Sequence, residues 1–311
     1  ENISGGKWRN MMQDHPNDLP VFKELQTGKK SPSEQPEMGV ALEGSSSSMK
    51  PCTDDTSGCA LPRFNRFTQN SYFIDIFNKG AQLVEWKVTP DADWIKLSEN
   101  SGSMTFEKRI FVSVDFSRAP KSGDVSGKID ITGAGQVFTV YVRAFNPDAV
   151  DIGASEYVQD NGVVSIEAGD FSAKRDASGS AWRSVPGLGR SGRALIIEPP
   201  TASSVADLSA AKQSAPSADY SFYVFDAGDA VLWAQALPTH ETQADSKLRI
   251  GISIDGGDIV PVDFTQASEE SSDIGKINVQ RNMMEGKVKL SIGAGPHVLH
   301  VWGLDPSVAP D

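Results

Sequence analysis

At 311 residues the chain is long enough for two ordinary domains, and its hydrophobic fraction of 39% suits strands with one wet face better than a doubly wound α/β sheet buried on both sides. A formal charge of −12 and a pI near 4.8 repel phosphate backbones, which argues against a nucleic-acid partner. No apolar run approaches the length that spans a bilayer, so no membrane partner is expected either.

The chain opens at Glu1 with no initiator Met and no apolar targeting stretch. Gly6-Lys7-Trp8-Arg9-Asn10-Met11-Met12 reads like the middle of something larger, and the chain is expected to be the tail end of a longer protein. Residues 13 to 62 are rich in Pro, Ser, Gly, Lys and Glu and include Ser45-Ser46-Ser47-Ser48. Residues 1–62 are therefore read as a connector, mostly irregular, with a short helical remnant at its start. The two cysteines, Cys52 and Cys59, flank six polar, turn-rich residues. A local disulfide formed in an oxidising compartment fits this spacing, and two free thiols in an exposed loop are the alternative. Without a second pair, a tetrahedral zinc site is not expected.

From Ser71 the pattern has period two. Ile110, Val112, Val114 and Phe116 share one face of a strand, as do Phe138, Val140 and Val142 of the next. Six runs, Tyr72–Phe77, Val84–Val88, Trp94–Leu97, 110–116, 128–132 and 137–144, are then the legible members of a sandwich of about seven short strands, of immunoglobulin-like size, over residues 63–147. Trp86 and Trp94 are expected in its core. A second domain spans 148–311. In Leu248-Arg249-Ile250-Gly251-Ile252-Ser253-Ile254-Asp255 the aliphatic residues face in, and Asp255-Gly256-Gly257-Asp258 is a hairpin signal. The segments 220–225, 230–236, 288–292 and 297–302 continue the set. Val163 to Ala168 and His297 to Asp305 read as the opening and closing strands of a jelly roll, with no helix between them. Pro199 to Ala218 is a Ser/Ala/Pro loop, too polar for a core helix. The expected fold is all-β, an immunoglobulin-like β-sandwich followed by a jelly-roll β-sandwich of the galactose-binding or carbohydrate-binding-module kind.

Gly6 to Met12, Glu37-Met38-Gly39-Val40-Ala41-Leu42-Glu43-Gly44-Ser45 and Tyr72-Phe73-Ile74-Asp75-Ile76-Phe77-Asn78-Lys79-Gly80 resemble successive signatures of the C-terminal part of glycoside hydrolase family 115. Val164 to Ala168, Gly187-Leu188-Gly189-Arg190, Leu237-Pro238-Thr239 and His297 to Pro306 are similar to that family's C-terminal domain. Three positions depart from the pattern. Gln13-Asp14-His15-Pro16 shortens a stretch usually rich in His, Tyr and Trp, Met49 replaces an aromatic, and Gly169 stands where a second acid is usual. The resemblance implies a secreted or periplasmic xylan α-1,2-glucuronidase, an enzyme hydrolysing O-glycosyl bonds that releases glucuronic acid or its 4-O-methyl ether. Its catalytic carboxylates lie in a barrel domain preceding everything in this chain. The chain alone is therefore expected to be inactive, with no catalytic residue of its own, since glycoside hydrolysis needs two carboxyls at a set separation.

Three arginines and a tryptophan, Trp182, Arg183, Arg190 and Arg193, are read as lying in one Gly-rich loop, Ala181 to Arg193, of an otherwise acidic chain. A guanidinium fork suits a carboxylate and an indole suits the C–H face of a sugar, so with His240 these form a candidate carbohydrate rim. The competing reading makes Trp182 a core plug and the arginines partners of nearby acids. Glu167 and Asp305 are the candidate ligands of a structural calcium, and otherwise an outward strand residue and an Asp-Pro turn. No cofactor is required. The expected partners are glucuronoxylan or xylo-oligosaccharides, the catalytic barrel of the same enzyme and a second copy in a homodimer. Two other functions compete, a scaffold that touches no sugar and an independent lectin-like fragment.

Overall fold

The computed structural model describes residues 31–49, 58–68, 70–148, 150–190, 192–242, 247–265 and 274–311. Two β-sandwiches follow one another, each with its own buried core.

In the first, β1 (Met38–Leu42), β3 (Tyr72–Asn78), β7 (Glu107–Val114) and β5 (Ile95–Leu97) pair antiparallel in that order. The facing sheet runs β2 (Phe64–Asn65), β9 (Gln136–Asn146), β8 (Gly123–Gly133), β4 (Val84–Pro90) and β6 (Ser101–Met104). Strict alternation decides which side chains meet: Val84, Trp86 and Val88 of β4 point inward, as do Val125, Ile129 and Ile131 of β8, while Glu85 and Lys87 face water. Trp94 joins Trp86 in this core.

The boundary expected at residue 63 lies too late. β1 falls inside the stretch read as an irregular connector, pairs with β3 from Met38↔Asn78 to Leu42↔Ile74, and buries Met38, Val40 and Leu42. Met49 and Leu61 enter the same core. The five residues Met38–Leu42 contain no polar residue to alternate with and lie between polar flanks, so no period-two signal marks them, and the ring of Phe77 fills the place where a side chain on Gly39 would stand. The expected helical remnant lies outside the described residues.

The second sandwich is centred on β14 (Ser217–Val224), β19 (Gly295–Gly303) and β16 (Arg249–Ile254), which pair antiparallel. β17 (Val260–Asp263) extends one side, and β10 (Tyr157–Val158) and β11 (Ala173–Arg175) border β14 on the other. The β16–β17 turn uses positive φ at Asp255 (52°) and Gly256 (74°), as its sequence predicts. The opposite layer consists of two antiparallel pairs, β12 (Ala181–Pro186) with β13 (Arg193–Glu198), and β15 (Gly228–Ala236) with β18 (Met284–Ile292). The last residues join them: Leu195 N–H donates to Pro310 O, Leu237 N–H to Ala309 O and Asp311 N–H to Gln235 O.

Three expectations for this half are corrected. Val163 to Ala168 is not a strand; beyond one bridge, Asp160↔Val163, it has no ladder partner among the described residues, although Val164, Ile166 and Ala168 do pack on the core. Ala181 to Arg193 is a hairpin rather than a loop. Among the described residues two helices interrupt the strands, α1 (Leu208–Ser214) and α2 (Ile274–Arg281). α1 lies in the segment read as loop; Asp207 caps it by accepting from Ser209 N–H, and Ala211 is buried against Trp302 and Leu304.

The sandwiches meet at a built junction. Asn65 Nδ2 donates to Gln159 O at 3.0 Å, and Arg63 and Asn161 exchange hydrogen bonds through the Asn161 amide at 3.2 and 3.1 Å. Thr68 and Asn70 donate to Asp160 Oδ2, and Phe225 stacks on Phe67 with ring centroids 5.2 Å apart and meets Phe145 edge-on. Phe67, Thr68, Tyr157, Asp160 and Ser165 line a shallow cleft beside it.

Candidate functional site

In the β12–β13 hairpin Trp182 stands opposite Ile197 and points inward with Leu195 and Ile197. Its indole is 1% exposed, against Gly303 of β19, where an added Cβ would lie 3.1 Å from the ring. A side chain so enclosed offers no face to a sugar, which corrects the expectation for Trp182. The alternation that buries it is only six residues long and abuts a Gly-rich turn, so the segment passes for a loop.

The arginines do not converge. Arg183 pairs with Glu198 across the hairpin, and Arg193 Nη1 meets Asp170 Oδ1 at 2.6 Å. Arg190 donates its backbone N–H to Asp311 Oδ2 at 2.6 Å and Nη1 to Met283 Sδ at 3.3 Å. Each serves as a local partner of an acid or of the last residues rather than as one prong of a carboxylate fork. His240 is exposed and, among the described residues, shares no hydrogen bond with them. Gly169 has a steric reason: an added Cβ would stand 2.4 Å from Arg193 Cδ, so the acid expected there would displace the arginine stem.

The two carboxylates assigned to calcium have separate lives. Glu167 is exposed, with its carbonyl accepting from Asp170 N–H at 3.1 Å. Asp305 is fully buried, and its oxygens are occupied by Arg249: Oδ2 accepts from the backbone N–H at 3.0 Å and Nε at 2.8 Å, and Oδ1 from Nη2 at 3.2 Å. The hydrogen bonds that Arg249 donates to Asp305 raise its pKa further, against a lowering by partial burial. A cation is already supplied by the chain, and no group of three or more His, Cys, Asp or Glu suited to a metal occurs among the described residues. Cys59 is buried and disulfide-bonded; Cys52 lies outside the described residues.

The histidines of β19 face opposite ways, as their spacing predicts. His297 Nδ1 meets Asp255 Oδ2 at 2.7 Å, and His300 Nδ1 meets Asp219 Oδ1 at 2.7 Å. Burial works to raise the Asp255 carboxyl, but hydrogen bonds from His297 and from Val298 N–H outweigh it and hold Asp255 below the usual carboxylate range.

An exposed aromatic does exist, on a different strand. Trp233 of β15 is 54% exposed with Val231 beside it on the same face, and Lys287 Nζ stands 4.6 Å from the centroid of its ring. Lys287 and Lys289 of β18 lie directly opposite Trp233 and Val231. Their signal is present in the sequence as the alternation Val231-x-Trp233 and Lys287-x-Lys289, but only the register brings the two strands side by side.

Residues 156–310, nearly all of the second sandwich, match the glycosyl hydrolase family 115 C-terminal domain. This half of the chain belongs to that family. A solved family 115 4-O-methyl-α-glucuronidase with specificity for decorated arabinogalactans is 21% identical, with a TM-score of 0.32, over 46% of this chain and 17% of its own. An Arthrobacter globiformis isomalto-dextranase (10% identity, TM-score 0.29) aligns over 81% of this chain and 34% of its own. A Phanerochaete chrysosporium exo-β-1,3-galactanase (12% identity, TM-score 0.27) aligns over 81% of this chain and 55% of its own. The chain thus spans only part of the length of each. No curated protein matches it. Within the family 115 domain no helix among the described residues is long and apolar enough to cross a membrane.

Proposed function

We propose that the chain is the non-catalytic accessory part of a secreted family 115 glycoside hydrolase that removes glucuronate or its 4-O-methyl ether from xylan. The observation that carries this reading is the match of residues 156–310 to the family 115 C-terminal domain. The first sandwich acts as a spacer, and the polar and aromatic junction at Asn65, Asn161, Asp160 and Phe225 supports a fixed angle between the two halves. The family 115 domain then holds substrate or a second copy near the catalytic barrel. The bonded state of Cys59 supports an oxidising, extracytoplasmic location.

The acids of the second sandwich have structural work: Asp305 holds Arg249, Asp160 accepts from Thr68 and Asn70, and Asp255 and Asp219 orient histidines. Hydrolysis would need one carboxyl to protonate the leaving oxygen and another to attack or activate water. The homogeneous chain incubated with glucuronoxylan is therefore expected to release no glucuronic acid by anion-exchange chromatography. Turnover that persists through purification to homogeneity overturns the proposal.

A further inference from the structure

β15 and β18 form a two-stranded ribbon whose inner face, including Leu232, Ala234, Val288 and Leu290, packs on the core of the family 115 domain. Its outer face sets exposed apolar side chains beside lysines. Val231 is 56% and Trp233 54% exposed, and adjacent exposed apolar side chains of this size carry a solvation cost that a purely structural strand avoids with polar residues. The register sets Lys289 opposite Val231 and Lys287 opposite Trp233. Lys287 reaches Glu285 at only 3.8 Å, and Lys289 has no ion pair among the described residues. Two ammonium groups two residues apart on one strand are spaced by roughly 7 Å. One stands at the Trp233 indole and the other beside Val231, on a chain of net charge −12. Asp229 and Glu285 mark the two ends of the strip, so its positive centre is bounded by negative charge.

We infer that this strip, Trp233 with Lys287 and Lys289, is a binding platform for an acidic sugar, a pyranose bearing a carboxylate. The indole presents an apolar plane to the C–H face of the ring. An ammonium group on a flexible stem follows the carboxylate wherever the glycosidic linkage places it, which a rigid guanidinium fork does less readily. Lys287 already stands over one face of the ring in a cation–π contact, so the charge is in position before the ligand arrives and the sugar takes the face that Lys287 leaves open. Long phosphate polyanions are disfavoured by the charge of the whole molecule, whereas a glycan with a single carboxylate per several sugars meets only the local field. The inference deepens the proposed function, in which the substrate carries glucuronate, and moves the sugar contact from the β12–β13 hairpin to the β15–β18 ribbon.

The test is calorimetric titration of the full chain with xylotetraose bearing one 4-O-methylglucuronate and with undecorated xylotetraose, for the parent, Trp233→Ala, and Lys287→Ala/Lys289→Ala, each checked for folding by circular dichroism. The parent is expected to prefer the decorated sugar by about fivefold or more, Trp233→Ala to weaken binding of both by about tenfold, and the double lysine variant to abolish the preference while still binding the undecorated sugar. Absence of binding by the parent at millimolar ligand, or equal affinities in the parent and Trp233→Ala, overturns the inference. So does self-association of the parent that Trp233→Ala removes, which gives the strip to a second copy. None of these outcomes alters the absence of turnover that tests the accessory role.

Discussion

Asp305→Ala isolates the buried ion pair that ties β16 to the closing segment of the second sandwich. Asp305 is fully enclosed and accepts three hydrogen bonds from Arg249, whose side chain is 16% exposed and also donates from Nη2 to Val205 O at 3.3 Å. Removing the carboxylate leaves a guanidinium and a backbone N–H facing an apolar cavity. Loss of one partner of such a pair costs about 3–5 kcal/mol, because the surviving charge keeps its desolvation penalty without its counter-charge. In a domain of about 150 residues each kcal/mol lowers Tm by roughly 2–4 °C, so a drop on the order of 6–20 °C is expected. Differential scanning calorimetry of the full chain, with urea denaturation as a second measure, reads this directly. Asp305→Leu combined with Arg249→Met should recover most of the loss, since two apolar side chains carry no unpaired charge. A loss below about 1 kcal/mol for Asp305→Ala, or simple additivity in the double variant, would refute the assignment.

Trp182→Ala should cost about 3–5 kcal/mol in urea denaturation, the range for emptying a large buried aromatic site; an unchanged midpoint would mean the indole is not a core residue. Gly169→Ala forces the Arg193 stem aside and should destabilise the domain by about 1–3 kcal/mol, with loss of the Arg193–Asp170 pair seen in a crystal structure of the variant. Asp255, depressed below its ordinary value of 3.8 in the folded chain, contributes stability that is fully present above pH 3.8 and is lost as pH falls through the folded value. Asp255→Asn should therefore flatten the acid limb of the stability curve, and a limb of unchanged steepness would count against the His297–Asp255 contact. Because Asp305 is already neutralised by Arg249, a chelator should leave the melting profile unchanged; a downward shift on chelation would reinstate a metal.

Periodicity alone determined most of the strands, because a half-buried strand must alternate apolar and polar residues whatever its partner. The runs at Tyr72–Asn78, Glu107–Val114, Arg249–Ile254 and Gly295–Gly303 could be read in this way, as could the Asp255-Gly256 turn, whose backbone needs residues tolerant of positive φ. The family also came from local signatures in the second half. What alternation does not contain is the identity of the neighbour. Val163 to Ala168 alternates but finds no ladder among the described residues, and β1 is a five-residue run without a polar residue, too short and unpatterned to stand out from its polar flanks. Trp182 and Trp233 look equally suited to a sugar in the sequence, and only packing separates them, one enclosed against Gly303 and the other left on an outer ribbon face. Asp305 reads as a turn former until the fold brings Arg249 within 2.8 Å. Burial and charge pairing are properties of residues distant in sequence, so tertiary structure alone decided which aromatic and which acid remained available to a ligand.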